Sequence, residues 1–251
     1  MHITPIAKIY NDFDSKFAVP RQSGLVNSIK SKIIFEKEYA SAEAFKGLEG
    51  YSHLWLIWEF DKNAHESKSL TVRPPRLGGN ERMGVFATRS PYRPNPLGLS
   101  SVKLEKIIRE NGKVSLIVSG ADLINGTKIY DIKPYLAYSD CHTDAVCGFA
   151  DEKKDYKLSV IIPENEACKL SKEELGTLKA ILSGDPRPAY QKDNRIYGFR
   201  FAKKEIKFSV SNNELTVFVS GNNAFDIRLC IKRNCRSIFY VFIQIHLHFK
   251  L

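Results

Sequence analysis

SVKLEKIIRENGKVSLIVSGA (Ser101–Ala121) holds two β-type runs, Ser101–Ile108 and Val114–Ala121, parted by Asn111 and Gly112. Branched residues such as Val and Ile suit a pleated, half-buried surface, and Asn and Gly suit the break between two strands. The same grammar recurs on both sides of the stretch. Ile3–Tyr10, Lys32–Glu38, His53–Phe60, Gly84–Arg89 and Thr127–Ile132 are further β-type runs, separated by Gly, Pro, Asn and Asp. One short helix is expected at Ala42–Leu48, with Ser41 as its N-cap. Many short strands without interleaved helices predict a β-barrel, rather than alternating β/α units, and a mainly β fold class.

This barrel region is taken as residues 1–138. A polar, mixed-charge stretch follows at 139–156 and reads as a linker. Residues 157–223 then form a smaller α+β domain. Its first strand is expected at Lys157–Ile162 and its helix opens on Ser171-Lys172-Glu173-Glu174, a capping box in which each side chain serves the other's backbone amide. That helix should stop at Gly184, ahead of Pro186. Tyr197–Phe201, Glu205–Val210 and Leu215–Val219 read as strands, the last two joined across Asn212-Asn213.

The chain has 251 residues, 43% hydrophobic and 26% charged, which excludes disorder and fibrous architectures. Its net charge of +10 favours a polyanionic partner such as a nucleic acid. The excess is uneven. Residues 224–251 form a basic, apolar tail in which Arg228, Lys232, Arg233, Arg236 and Lys250 face the single acid Asp226. Within that tail, SIFYVFIQIHLHF (Ser237–Phe249) resembles an edge strand or an aggregation-prone segment, and it is shorter than the ~20 residues a membrane helix needs. The start, MHITPIAKIYNDF, lacks the basic region and apolar run of a signal peptide, so a cytoplasmic chain with no membrane partner is expected. Five cysteines without CxxC spacing read as reduced thiols, and no histidine is paired at metal-ligand spacing, so no metal is expected.

Residues Arg73–Ser101, RPPRLGGNERMGVFATRSPYRPNPLGLSS, carry five arginines and five prolines. Proline stiffens the backbone and arginine projects a planar fork of donors, a combination suited to phosphate or carboxylate. The chain contains no GxGxxG, Walker loop, HExxH or GxSxG.

Five segments together carry a family resemblance: FAVPRQSGL (Phe17–Leu25), LEGYSHLWLIWEF (Leu48–Phe60), TVRPPRLGG (Thr71–Gly79), GVFATRSPYRPNPLGLS (Gly84–Ser100) and DLINGTKIYDIKPYL (Asp122–Leu136). In this order they resemble the TsaA-like family and, more narrowly, the TrmO-type tRNA adenine-N6 methyltransferases. GDPRPAYQ (Gly184–Gln191) and IYGFRF (Ile196–Phe201) resemble the C-terminal domain of bacterial members. The resemblance implies a non-Rossmann β-barrel that binds S-adenosyl-L-methionine, usually as a homodimer. The implied reaction methylates N6 of threonylcarbamoyl-adenosine at position 37, 3′ of the anticodon, in threonine tRNA. The family ending is lost after about Gly221.

The cofactor contacts implied by the resemblance fall on Pro20, Arg21 and Gln22, on Asp61 and Lys62, on Arg89 and Leu99, and on Asp122, Leu123, Ile124 and Asn125. At the pair after the Trp-rich strand the family usually has His followed by a polar residue, where this chain has Asp61-Lys62. Arg89 or Arg21 is suited to a methionine carboxylate. Asp122 is equally suited to capping the Asp-Leu-Ile-Asn-Gly turn. For tRNA, the expected phosphate contacts are Arg73, Arg76, Arg82 and Arg93 with Arg187, Lys192 and Arg195, and Tyr190 for stacking on a base. Arg93 serves equally as a brace for its loop, and Tyr190 as an anchor for its own. No proton acceptor is marked out. His53, inside an apolar strand, reads as a core histidine; of Trp55 and Trp58, on opposite faces, one is core and the other lines a surface. Two alternatives stay open: a non-catalytic RNA-binding module, and methylation of another RNA or a small molecule.

Overall fold

A computed structural model describes residues 2–60, 69–74, 77, 81–153, 155–187 and 195–220. Asp61, Lys62, Arg76, Tyr190, Lys192 and the tail at 224–251 lie outside the described residues. The N-terminal strands are β1 (Ala7–Tyr10), β2 (Lys30–Phe35), β3 (His53–Glu59), β4 (Thr71–Val72), β5 (Met83–Gly84), β6 (Leu97–Glu110), β7 (Lys113–Ser119) and β8 (Lys128–Pro134). Six of them close a barrel in the order β1-β2-β7-β6-β3-β8, every pairing antiparallel. The expected mainly β chain with a barrel is what forms. Period-2 alternation sends Leu54, Leu56 and Trp58 of β3 inward, with Ile9, Ile33, Val102, Leu116, Val118 and Ile129 from the other walls.

Closure depends on β6, which is longer than the run Ser101–Ile108. Its first half pairs β3 from Leu97 to Lys103, and its second half pairs β7 from Lys103 to Glu110. A register shift between Leu104 and Lys106 bends the strand from one neighbour to the other.

Two local expectations fail for identifiable reasons. Gly84–Arg89 is not a strand: β5 stops at Gly84, and Val85–Ala87 is a 3-10 turn. There the Thr88 amide and hydroxyl both donate to the Val85 carbonyl (3.2 and 3.0 Å), and Arg93 donates to the Val85 and Thr88 carbonyls, so side chains replace a strand ladder. The helix at Ala42–Leu48 shrinks to a 3-10 turn at Ala42–Phe45, still capped by Ser41, because Gly47 turns left-handed at φ 87°. Of the thiols expected to be reduced, Cys141 and Cys147 are free.

The second sheet comprises β9 (Ser159–Ile161), β10 (Tyr197–Phe201), β11 (Lys204–Ser211) and β12 (Glu214–Ser220), ordered β10-β11-β12-β9 with β9 parallel to β12. Asn212 and Asn213 take φ of 48° and 63° at the β11–β12 turn. Among the described residues, three α-helices precede β10: α1 (Ala137–Asp140), α2 (Glu164–Ala167) and α3 (Lys172–Ser183). The Ser171–Glu174 capping box of α3 is complete, with bonds of 3.1 and 2.7 Å. Leu178, Ile181 and Leu182 of α3 pack on Phe199, Ile206, Phe208 and Val217. Phe13, Ala18, Val26 and Ile29, from the β1–β2 connection, are buried in this same core.

Phe208 is fully buried and lies within 5.4–6.3 Å of Phe17, Tyr197 and Phe199, centroid to centroid. Phe208→Ala should therefore cost about 3–5 kcal/mol of stability, measured by urea unfolding.

Candidate active site

Three segments meet at one end of the barrel: the β1–β2 connection, the start of β6, and the turn after β7. Their junction is tied by Ser23. Its hydroxyl accepts from the Ser101 amide (3.1 Å), and its own amide donates to the Asp122 carboxylate. The Gly24 amide donates to the Gly120 carbonyl (2.9 Å), with both glycines left-handed, at φ 78° and 79°.

Asp122 sits below this junction. It accepts a hydrogen bond from Ser100 Oγ (2.6 Å), and Ser100 Oγ accepts one from the Trp58 indole N–H (2.9 Å). Trp58 faces Gly98 across β3 and β6, and a Cβ there would lie 2.3 Å from the indole ring. Burial raises the Asp122 carboxyl above the ordinary aspartate value, opposed by the Ser100 hydrogen bond, the amides of Asp122 and Ser23, and the charge of Arg89. The Arg89 guanidinium, exposed at the mouth, donates to Gln22 Oε1.

Gln22, Arg89 and Asp122 are thus brought together; among the described residues, the other cofactor candidates take up different roles. Leu99 lies on the outer wall, 56% exposed, opposite Ile57 in register. Leu123 is wholly buried in the barrel core, and its carbonyl accepts from Asn11 Nδ2 (2.9 Å). Asn125 binds the Asn11 amide through Oδ1 (3.2 Å) and donates its own amide to the Phe13 carbonyl (2.8 Å), while the Ile124 carbonyl takes the Thr127 hydroxyl (2.7 Å). The Leu123–Asn125 backbone groups named here support the turn. Arg21 is drawn away to the second domain, where Nη2 donates to the carbonyls of Asp185 (2.5 Å) and Arg187 (2.8 Å). Pro20 is half-buried beside it.

The phosphate candidates divide as well. Arg73 and Arg195 are exposed, and Arg82 is exposed with bonds to Thr71 Oγ1 (2.9 Å) and Ser69 Oγ (3.3 Å). Arg93 braces the 85–88 turn from within. Arg187 is largely buried in a forked pair with Asp185 (2.9 and 3.0 Å), so its donors turn inward.

His53 is not in the core: with Trp55 and Ile57 it faces outward, half-buried, where Ser52 Oγ lies 2.9 Å from Nδ1 and Tyr135 packs alongside. Trp58 is the core tryptophan. Trp55 lines an outer groove with Ile57, Leu99, Lys133, Ser139, Asp140 and His142, its indole donating to Asp140 Oδ2 (2.7 Å).

Ser23, Gly98 and Ser100 were not singled out from the sequence. The signal lay in their neighbours: Ser23 follows Pro20-Arg21-Gln22, and Gly98 and Ser100 straddle Leu99.

With this geometry in place, comparison with known proteins decides the family. The tRNA-methyltransferase O N-terminal domain matches residues 8–141. The chain belongs to the tRNA-methyltransferase O family. The TrmO C-terminal domain matches residues 155–220. Escherichia coli K12 tRNA (adenine(37)-N6)-methyltransferase is 41% identical over 222 residues, covering 85% of this chain and 94% of that protein. A putative S-adenosylmethionine-dependent methyltransferase, RcsF, of Pseudomonas aeruginosa PAO1 is 39% identical over 224 residues, again covering 85% and 94%. The crystal structure of TrmO from Pseudomonas aeruginosa superposes with a TM-score of 0.68 at 30% identity, covering 88% of this chain and 99% of that one.

Two outcomes follow from the Trp58–Ser100–Asp122 arrangement. Gly98→Ala should displace the indole and lower stability by about 1–3 kcal/mol in urea unfolding. Because Asp122 holds its proton to higher pH when folded, stability should fall as pH rises from the ordinary aspartate value through the raised one; Asp122→Asn should flatten that slope in urea melts across pH.

Proposed function

We propose that this chain methylates N6 of threonylcarbamoyl-adenosine at position 37 of threonine tRNA, in the cytoplasm and as a homodimer. This is the specific form of the reaction class given by family membership, S-adenosylmethionine-dependent tRNA (adenine-N6) methyl transfer. The observation that carries the reading at the site is the convergence of Gln22, Arg89 and Asp122 at the barrel mouth.

The donor set suits the cofactor. An accessible guanidinium matches a carboxylate, an amide matches hydroxyl or ring edges, and a half-buried carboxyl accepts from a hydroxyl or an amine. Arg89 holds the methionine carboxylate, Gln22 steers the Arg89 fork, and Asp122 takes a ribose or adenine donor. When bound, S-adenosylmethionine supplies a methyl group on a cationic sulfur, open to in-line attack. The chain's part is then to orient the two reactants and to exclude water. The exposed arginines Arg73, Arg82 and Arg195 meet tRNA phosphates, with Tyr190 and Lys192 as further contacts.

Incubating the purified chain with S-adenosylmethionine and tRNA that lacks the methyl should yield N6-methylated threonylcarbamoyl-adenosine by nucleoside mass spectrometry. An unmodified product would sink the reading, and salt-sensitive tRNA binding without cofactor affinity would favour a non-catalytic module. At cofactor about 100-fold above its Kd, the stabilisation of ~2.7 kcal/mol seen as a thermal shift should vanish in Arg89→Ala and in Gln22→Ala.

A further inference from the structure

Residues 11–29 link two barrel strands, yet all their apolar side chains except those of the exposed Leu25 and of Pro20 pack in the core of the other domain. Phe17 lies 6.0 Å from Tyr197, 6.3 Å from Phe199 and 6.1 Å from Phe208, ring to ring. Phe13 and Ala18 before the Pro20–Ser23 stretch, and Val26 and Ile29 after it, are buried in the same cluster. Ala18 has φ 70°, a conformation alanine seldom adopts, and it persists here inside that core. The stretch is thus fastened to the second domain on both flanks.

Its middle is fastened too, since Arg21 reaches the carbonyls of Asp185 and Arg187. The turn that offers these carbonyls is itself stiff. It follows α3, Asp185 stands left-handed at φ 50°, and its carboxylate takes the forked Arg187 pair and the Tyr156 hydroxyl (3.2 Å). Gln22 and Ser23, the next two residues, carry the contacts to Arg89 and Asp122.

We infer that the C-terminal domain is a positioning element of the cofactor site: Arg21 transmits the fixed Asp185–Arg187 turn to Gln22 and Ser23, so that donor affinity depends on a turn in the other domain. Arg21 is then a positioning residue, and the second domain serves the cofactor as well as the tRNA. The inference rests on the reading that Gln22 lines the donor site.

The test is calorimetric titration of S-adenosylmethionine into the full chain as wild type, Gln22→Ala, Arg21→Lys and Asp185→Asn, with filter binding of tRNA in parallel. Asparagine tolerates the left-handed backbone at 185 while removing the charge that clamps the turn. Asp185→Asn should weaken the cofactor about 3- to 10-fold and Arg21→Lys, which keeps one donor group, by less, with tRNA affinity unchanged. Wild type that fails to bind the cofactor would overturn the site reading itself. Wild-type binding that is lost in Gln22→Ala but retained in Arg21→Lys and Asp185→Asn would overturn this inference alone, as would a loss confined to tRNA. Should Asp185→Asn fail to fold in a melt, Arg21→Lys decides by the same comparison.

Discussion

A buried indole N–H must have an acceptor, and the barrel mouth is arranged around satisfying the one on Trp58. Ser100 accepts from it and donates its own hydroxyl hydrogen bond to Asp122, so a carboxyl group is drawn beneath the mouth. That carboxyl group then gathers the Ser23 amide and feels the Arg89 charge. The indole can lie where it does only because position 98 has no side chain. Packing of an aromatic ring thereby fixes where the polar groups of the site stand.

How much of this could be read in the sequence depends on which force dominates locally. Where apolar alternation decides the outcome, as in β3, β7 and β10 to β12, reading the side chains was enough. It sufficed also where a cap supplies its own signature, as at Ser171 and Glu174. It failed at Val85–Ala87, because strand-like composition there is outweighed by hydrogen bonds from Thr88 and Arg93 that no periodicity reveals. Of the cofactor candidates, Gln22, Arg89 and Asp122 converge, while Leu99 turns outward because a strand alternates faces. Arg21, a cofactor contact by the resemblance, and Arg187, an expected phosphate contact, both turn out to hold the protein's own groups. The partners of Arg21, the Asp185 and Arg187 carbonyls, lie more than 160 residues away and are invisible to any local pattern, whereas Arg187 is taken by the Asp185 carboxylate only two residues before it.

Among the described residues, the arginines singled out from the sequence therefore form two groups. Arg21, Arg93 and Arg187 point their forks at carbonyls and a carboxylate and hold loops together. Arg73, Arg82, Arg89 and Arg195 are exposed. The number of arginines overstates the surface offered to a polyanion, since some of them are paired or turned inward; the exposed group bears on association and its salt dependence.

The placement of Phe13, Phe17, Val26 and Ile29 in the far core also has a consequence for biosynthesis. The last strand of the barrel ends at Pro134, but the core that buries these side chains is completed only by β12, which ends at Ser220. At ribosomal rates of roughly 5–20 residues per second, that interval lasts on the order of several to ten or more seconds. Throughout it the nascent chain carries two unburied phenylalanines beside a barrel whose strands are already made. A chaperone that binds apolar segments has its opening there, early in the chain and late in its synthesis.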